Sequence, residues 1–318
     1  MSTASATRFA ILCALGSALA FTVNDTTIKF LSGNYALHQL VLIRAAVAII
    51  VTLAFFVPLD GGLKSLRITR PLLHLARGMC VVFANMAFFM SLATIKIAEA
   101  TAILFIAPLI ITALAVIFLG ENVGPRRWIA ILVGLLGVFI MVRPGAGSFQ
   151  AAALLPLVAA IAYAMLHVLT RKIGTADSAA AMAFYIQLTF IVVCSLIGLV
   201  LGDGRFAGTG YPSIDFVLRA WIWPPISDWG IIALAGLSSA VGGYLVSQAY
   251  RLAPASIIAP FEYAALPLAL VWGLLIFGEW PDWLAWIGMA LIIASGLYAY
   301  SRERVVETVD PKPVQRVP

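Results

Sequence analysis

Ten runs of mostly apolar residues follow one another along this 318-residue chain, and they decide what it can become. A helix needs roughly 20 such residues to cross a hydrocarbon core of about 30 Å, where backbone groups are satisfied only within helices or closed barrels. The runs occupy residues 9–30, 38–57, 72–92, 98–119, 127–143, 151–171, 180–201, 230–250, 255–277 and 283–300. The predicted fold is an all-α polytopic membrane protein with ten transmembrane helices. Composition agrees, because 63% hydrophobic and 11% charged residues leave more apolar surface than a soluble chain of this length can bury.

A formal charge of +6 would suggest nucleic acid in a soluble domain, but in a membrane protein the placement of Lys and Arg matters more than their sum. Arg8, Lys64, Arg67, Arg70, Arg126, Arg127, Arg171, Lys172, Arg251 and the four basic residues after 301 fall on one side; Lys29, Lys96, Arg143, Arg205 and Arg219 fall on the other. The excess marks the cytoplasmic side and puts both termini there. The expected location is a bacterial-type inner membrane, with lipid and a small-molecule solute as partners, no nucleic acid, and room for a homodimer. Cys13, Cys80 and Cys194 sit inside apolar runs without metal-ligand spacing, so no metal, cofactor or disulfide is expected. The small residues Ala18 and Ala20 also allow a cleavable leader, but the apolar run continues to Leu31, long enough to span.

The chain is written twice. "AEATAILFIAPLIITALAVIFLGENVGPRRW" in the first half and "PFEYAALPLALVWGLLIFGEWPDWLAW" in the second share an apolar helix with an internal Pro (Pro108, Pro267). Each then has a Gly-Glu pair (Gly120-Glu121, Gly278-Glu279), a Pro (Pro125, Pro281) and a Trp. A weaker echo sets Phe21, Asp25 and Lys29 opposite Tyr163, His167 and Arg171. Five spans per half is an odd number, so the second half enters the membrane from the opposite face and forms an inverted repeat. The expected division is residues 1–145, 146–301 and a cytoplasmic tail, 302–318. With the "ARG" of the third span, these segments resemble EamA-type members of the drug/metabolite transporter superfamily. The resemblance covers nearly the whole chain. It implies two inverted five-helix repeats and secondary transport of small organic solutes.

Ionisable groups inside spans are disfavoured by roughly 2.5–3.5 kcal/mol on insertion scales, so function is their default reading. Glu262, between Pro260 and Pro267, is the leading candidate for substrate or proton; a static partner for an arginine is its rival. Arg44 has no acid within a turn and reads as a cavity or ion-pair group. Arg77 either joins a site or snorkels toward Arg70, with His74 one turn before it. Asp25 either bridges to Lys29 at i, i+4 or lines a cavity with Asn24. His167 reads as a relay, a substrate contact or a satisfied hydrogen bonder. Tyr163, Tyr185, Tyr263 and Trp272 supply aromatic walls or packing. The substrate-binding set is therefore Glu262, Arg44, Asp25, Asn24, Arg77, His167, Tyr163, Tyr263 and Trp272, with no catalytic residue.

Glu121 and Glu279 read as structural caps for the helix that follows each. Ala130, Gly134, Gly137, Gly288 and Gly296 favour close helix packing. In the connection 202–229, Ile214, Val217, Leu218 and Trp221 form an apolar stripe, as an interfacial helix or a lid would have. No phosphate loop ending in Gly-Lys-Ser or Gly-Lys-Thr is present. The expected function is alternating-access transport of an aromatic, zwitterionic or nucleoside-like metabolite, and the ninth-span motif looks most like carriers of riboflavin or S-adenosylmethionine. Amino-acid export is the alternative within the class, and a membrane-embedded lipid-modifying enzyme the alternative outside it.

Overall fold

The computed structural model describes residues 3–107, 109–110, 113–114, 125–142, 151–173, 177–252 and 261–309, without the side chains of 3–6, 126–127, 167–168, 170–173, 250–251, 296 and 299–309. The helices are α1 (Thr3–Leu31), α2 (Leu37–Val51), α3 (Pro71–Leu92), α4 (Ile97–Leu104), α5 (Pro125–Val142), α6 (Leu155–Ile173), α7 (Ala179–Leu201), α8 (Ile226–Leu252), α9 (Ala265–Phe277) and α10 (Trp283–Val309). Each meets one expected span. Among the described residues five segments, 7–31, 37–59, 71–92, 179–201 and 226–249, are long and apolar enough to cross a membrane on their own, and shorter apolar helices fill α5, α6, α9 and α10. α10 runs on past its expected end at 300, where Arg302, Glu303 and Arg304 are good helix formers in water.

Local sequence sets several ends. α2 widens into a π turn, Thr52–Phe56, before a final turn, Val57–Leu59. Pro58 explains the widening: an α-helix through it would lose an N–H and meet the ring, and a wider turn relieves both. α3 opens at Pro71, whose missing N–H costs nothing in a first turn. α9 ends at Gly278 in the left-handed region (φ 63°), with the Gly278 N–H donating to Leu274 O and the Glu279 N–H to Gly273 O. That cap needs glycine, and it aims Glu279 away from the helix axis.

Packing pairs the halves. The most extensive contacts are α1 with α8, α5 with α10, α3 with α6 and α2 with α7. Exchanging each helix with the one five later turns α1–α8 into α6–α3 and leaves α2–α7, α4–α9 and α5–α10 in place. Two five-helix repeats produce this pattern. Lipid is as apolar as leucine, so such contacts depend on close approach rather than on escape from water. Between α5 and α10 a Cβ added to Gly137 would stand 2.8 Å from the Gly288 carbonyl, and one on Gly288 equally close to that of Gly137. The opposite face of α5, with Ile129, Leu132, Leu136 and Phe139 exposed, is left for lipid.

One face, the Lys29 end, holds the C-termini of α1, α3, α7 and α9; the other, the Asp177 end, holds the loops 60–70 and 177–178. The connection after α7 contains a short helix, Pro212–Leu218, anchored by Phe216, which is completely buried. Ile214 and Trp221 are exposed, while Phe216 turns inward among the ends of α1 to α3. Arg219 donates to Ser32 O (2.8 Å) and Tyr35 O (3.3 Å), and Gln39 exchanges hydrogen bonds with the Ile222 backbone. Asp215 accepts from Thr209 N, Thr209 Oγ1 and Gly208 N, and these donors, the Thr209 N–H foremost, hold its carboxyl below the ordinary range.

Candidate functional site

Two tiers of polar side chains cross the interior. The first joins α1, α2, α4's neighbour α3, α7 and α9. Arg44 on α2 is 2% exposed, and its Nη1 donates to Asn24 Oδ1 at 3.2 Å. Asn24 Nδ2 in turn donates to Asp25 Oδ1 at 3.0 Å. The guanidinium carbon lies 4.8 Å from the centre of the Phe190 ring and 5.5 Å from that of Phe89, a cation–π cage from α7 and α3. Trp272 Nε1 donates to Thr22 Oγ1 at 3.3 Å, which docks α9 against α1 one turn from Asp25. Arg44 Nε and Nη2 are buried and meet no acceptor among the described residues. Unpaired buried donors on a cation are costly, so this edge is the most unusual feature of the tier.

The second tier lies nearer the Asp177 end and joins α3, α6, α7 and the start of α9. Arg77 is buried and donates through Nη1 to Met182 O at 3.2 Å. The charges of Arg77 and Glu262 both act on the Tyr163 hydroxyl, and that of Glu262 also on Tyr263. Tyr263 packs on Phe105, ring centres 5.2 Å apart, and its buried hydroxyl has no partner among the described residues. Opposite charges that both act on one phenol can hold a polar solute or pass a proton.

Several expectations change. Asp25 does not bridge to Lys29: Lys29 Nζ is 2.6 Å from Glu279 Oε1 and donates to Ile95 O at 2.8 Å. Lys29 therefore sits in a cage of partners instead of snorkelling. Glu279 does cap a helix, but its Oε2 accepts from Ile97 N of α4 at 3.1 Å, in the other half of the chain; α10 is capped by Asp282, which accepts from Ala285 N. Arg77 is buried and reaches Met182 O in the first turn of α7. Tyr185 donates to Leu66 O at the Asp177 end. The His167 and Arg171 side chains, Pro108, Glu121 and Pro260 lie outside the described residues.

Sequence reasoning missed the polar ties of the Asp177 end. Asp177 binds His74 Nε2 at 2.7 Å and accepts from Thr69 N at 3.1 Å. Asp60 accepts from Ala180 N at 3.0 Å and from Tyr244 Oη at 3.1 Å, and Ser178 Oγ accepts from Ala181 N, so α7 starts on two caps. Both acids fall just outside the expected spans, which hid them. The one available signal was Asp177-Ser178 directly before an apolar run.

Residues 8–143 match the EamA-like transporter family. The chain is 31% identical to the riboflavin transporter of Vibrio cholerae over 88% of its length and 89% of that protein. It is 27% identical to the S-adenosylmethionine uptake transporter of Rickettsia bellii, covering 91% and 92%, and 24% identical to the pseudopaline exporter of Pseudomonas aeruginosa, covering 90% and 93%. With an all-helical bundle, buried charges at its centre and matching relatives along nearly all of its length, the chain belongs to the EamA-like transporters of the drug/metabolite transporter superfamily.

Proposed function

We propose that this protein is a secondary active carrier that moves an aromatic or nucleoside-like metabolite across a bacterial inner membrane by alternating access, with both termini in the cytoplasm. The observation that carries the reading is Arg44, a cation held 2% exposed between two aromatic rings with one edge unpartnered among the described residues. A group so disfavoured in a membrane interior is retained where it meets a solute. Relatives named for riboflavin and S-adenosylmethionine support a planar heteroaromatic substrate. The excess of Lys and Arg on the Asp177 side supports the orientation.

Alternating access draws support from the ties at both ends. Asp60, after α2, caps α7, while Glu279, after α9, caps α4, so each half caps a helix of the other at opposite faces. Transport needs one set to release in each half-cycle. Export is a second reading, favoured by the likeness to the pseudopaline exporter.

The test is flux in proteoliposomes, using riboflavin and S-adenosylmethionine from either side. Saturable flux of either supports the carrier, and the faster direction decides between uptake and export. Absence of flux for a broad metabolite panel, with chemical conversion of lipid instead, overturns it.

A further inference from the structure

Arg44 has three faces for hydrogen bonding, and among the described residues one is used. Nη1 is taken by Asn24, while Nε and Nη2 form the side-on fork that receives a carboxylate through two parallel hydrogen bonds. The fork is buried, and no acceptor meets it among the described residues. A lysine could not present that geometry, and a merely structural cation would be expected to have its fork filled by protein.

Asn24 shows what kind of group suits the space between Arg44 and Asp25. Its amide turns an acceptor toward the cation at 3.2 Å and a donor toward the carboxylate at 3.0 Å. Arg44 and Asp25 are thus held apart as opposite charges by one small amphoteric unit rather than joined in an ion pair. Among the described residues Asp25 uses Oδ1 for Asn24, leaving Oδ2 to accept elsewhere. A ligand group with the same order of acceptor and donor, but with full charges, bonds more strongly to both than an amide does.

We infer that this tier is a subsite for an α-amino-acid head group, its carboxylate on the Nε/Nη2 fork of Arg44 and its ammonium on Asp25. The assignment rests on the carrier reading and narrows it: the solute is zwitterionic at one end and apolar or aromatic at the other. Phe89 and Phe190 close over the guanidinium and exclude water, which strengthens the carboxylate contact and selects against head groups that leave the cation unpaired. A neutral imide such as that of riboflavin offers the right acceptor and donor without the charges, and so is expected to bind less tightly here.

The test uses two nucleosides that differ at the head group. S-adenosylhomocysteine carries the amino-acid chain; 5′-methylthioadenosine replaces it with methyl. Binding of each to the purified full-length protein is measured by titration, with riboflavin as a third probe. S-adenosylhomocysteine is expected to bind at least tenfold tighter than 5′-methylthioadenosine, and Arg44→Lys and Asp25→Asn to abolish that difference. Equal binding of the two nucleosides to the unaltered protein overturns the assignment, whether or not the variants fold. Tight binding and flux of riboflavin alone also overturns it, yet leaves the carrier reading intact. Loss of flux for every solute would count against the carrier reading instead.

Discussion

Glu279 holds Lys29 at 2.6 Å with one oxygen and the N-terminus of α4 with the other. A single carboxylate thus ties α1, α4 and α9 together. The side chains are 9% and 21% exposed, so solvent screens them little. Glu279→Gln is expected to lower stability in detergent by about 1–3 kcal/mol. A double-mutant cycle with Lys29→Met should give coupling of about 1 kcal/mol or more, and additive effects would contradict the pairing.

Glu262 answers a different question. Glu262→Gln keeps shape and removes charge from a group facing Tyr163 and Tyr263. Flux should fall at least tenfold while the protein still purifies as a folded species. Unchanged flux removes Glu262 from the site.

At the other face, Asp177→Asn weakens the bond to His74 and is expected to cost about 2 kcal/mol. It should also favour opening at that end. A cysteine replacing Met182, whose carbonyl Arg77 holds, should then react faster with a water-soluble maleimide. Slower labelling would mean that Asp177 does not restrain this face.

The α5–α10 seam predicts a contrast between glycines. Gly137→Ala places a methyl against the Gly288 backbone and should destabilise by about 1–3 kcal/mol. Gly230→Ala, where nothing lies within 4 Å of the added carbon, should be close to neutral. Thermal unfolding of the pair reads the difference.

The strap after α7 is held by Arg219 and Gln39. Arg219→Ala should speed proteolysis within 203–225 severalfold, because it frees two carbonyls of the α1–α2 loop. If the strap is an interfacial clamp, flux stays within about twofold. A large change in flux would assign it the role of a lid.

The bundle was legible because bilayer thickness fixes how long each apolar run must be, and α1 to α10 follow from run lengths alone. Partners were less so. Lys29 pairs with a residue 250 positions away, and nothing local distinguishes that from a bridge to Asp25 one turn back. Asp60 and Asp177 looked like loop residues because apolar runs stop just short of them, although both are drawn into contact by exposed N–H groups of α7 or by a histidine. Arg44 was recognisable as an outlier. Its fork, its cage of Phe89 and Phe190 and its link through Asn24 depend on four helices meeting, which no single stretch of sequence records.

The π turn in α2 has one more effect. Such a turn contains one residue more than an α-helix would, so it advances everything beyond it around the axis by about 100°. Asp60 follows it closely and owes its bearing toward Ala180 and Tyr244 to that extra residue. Shortening 52–56 by one residue would leave the span's composition nearly untouched and turn the carboxylate toward lipid, so the phase of this helix, as much as the identity of the acid, determines whether the two halves engage at that face.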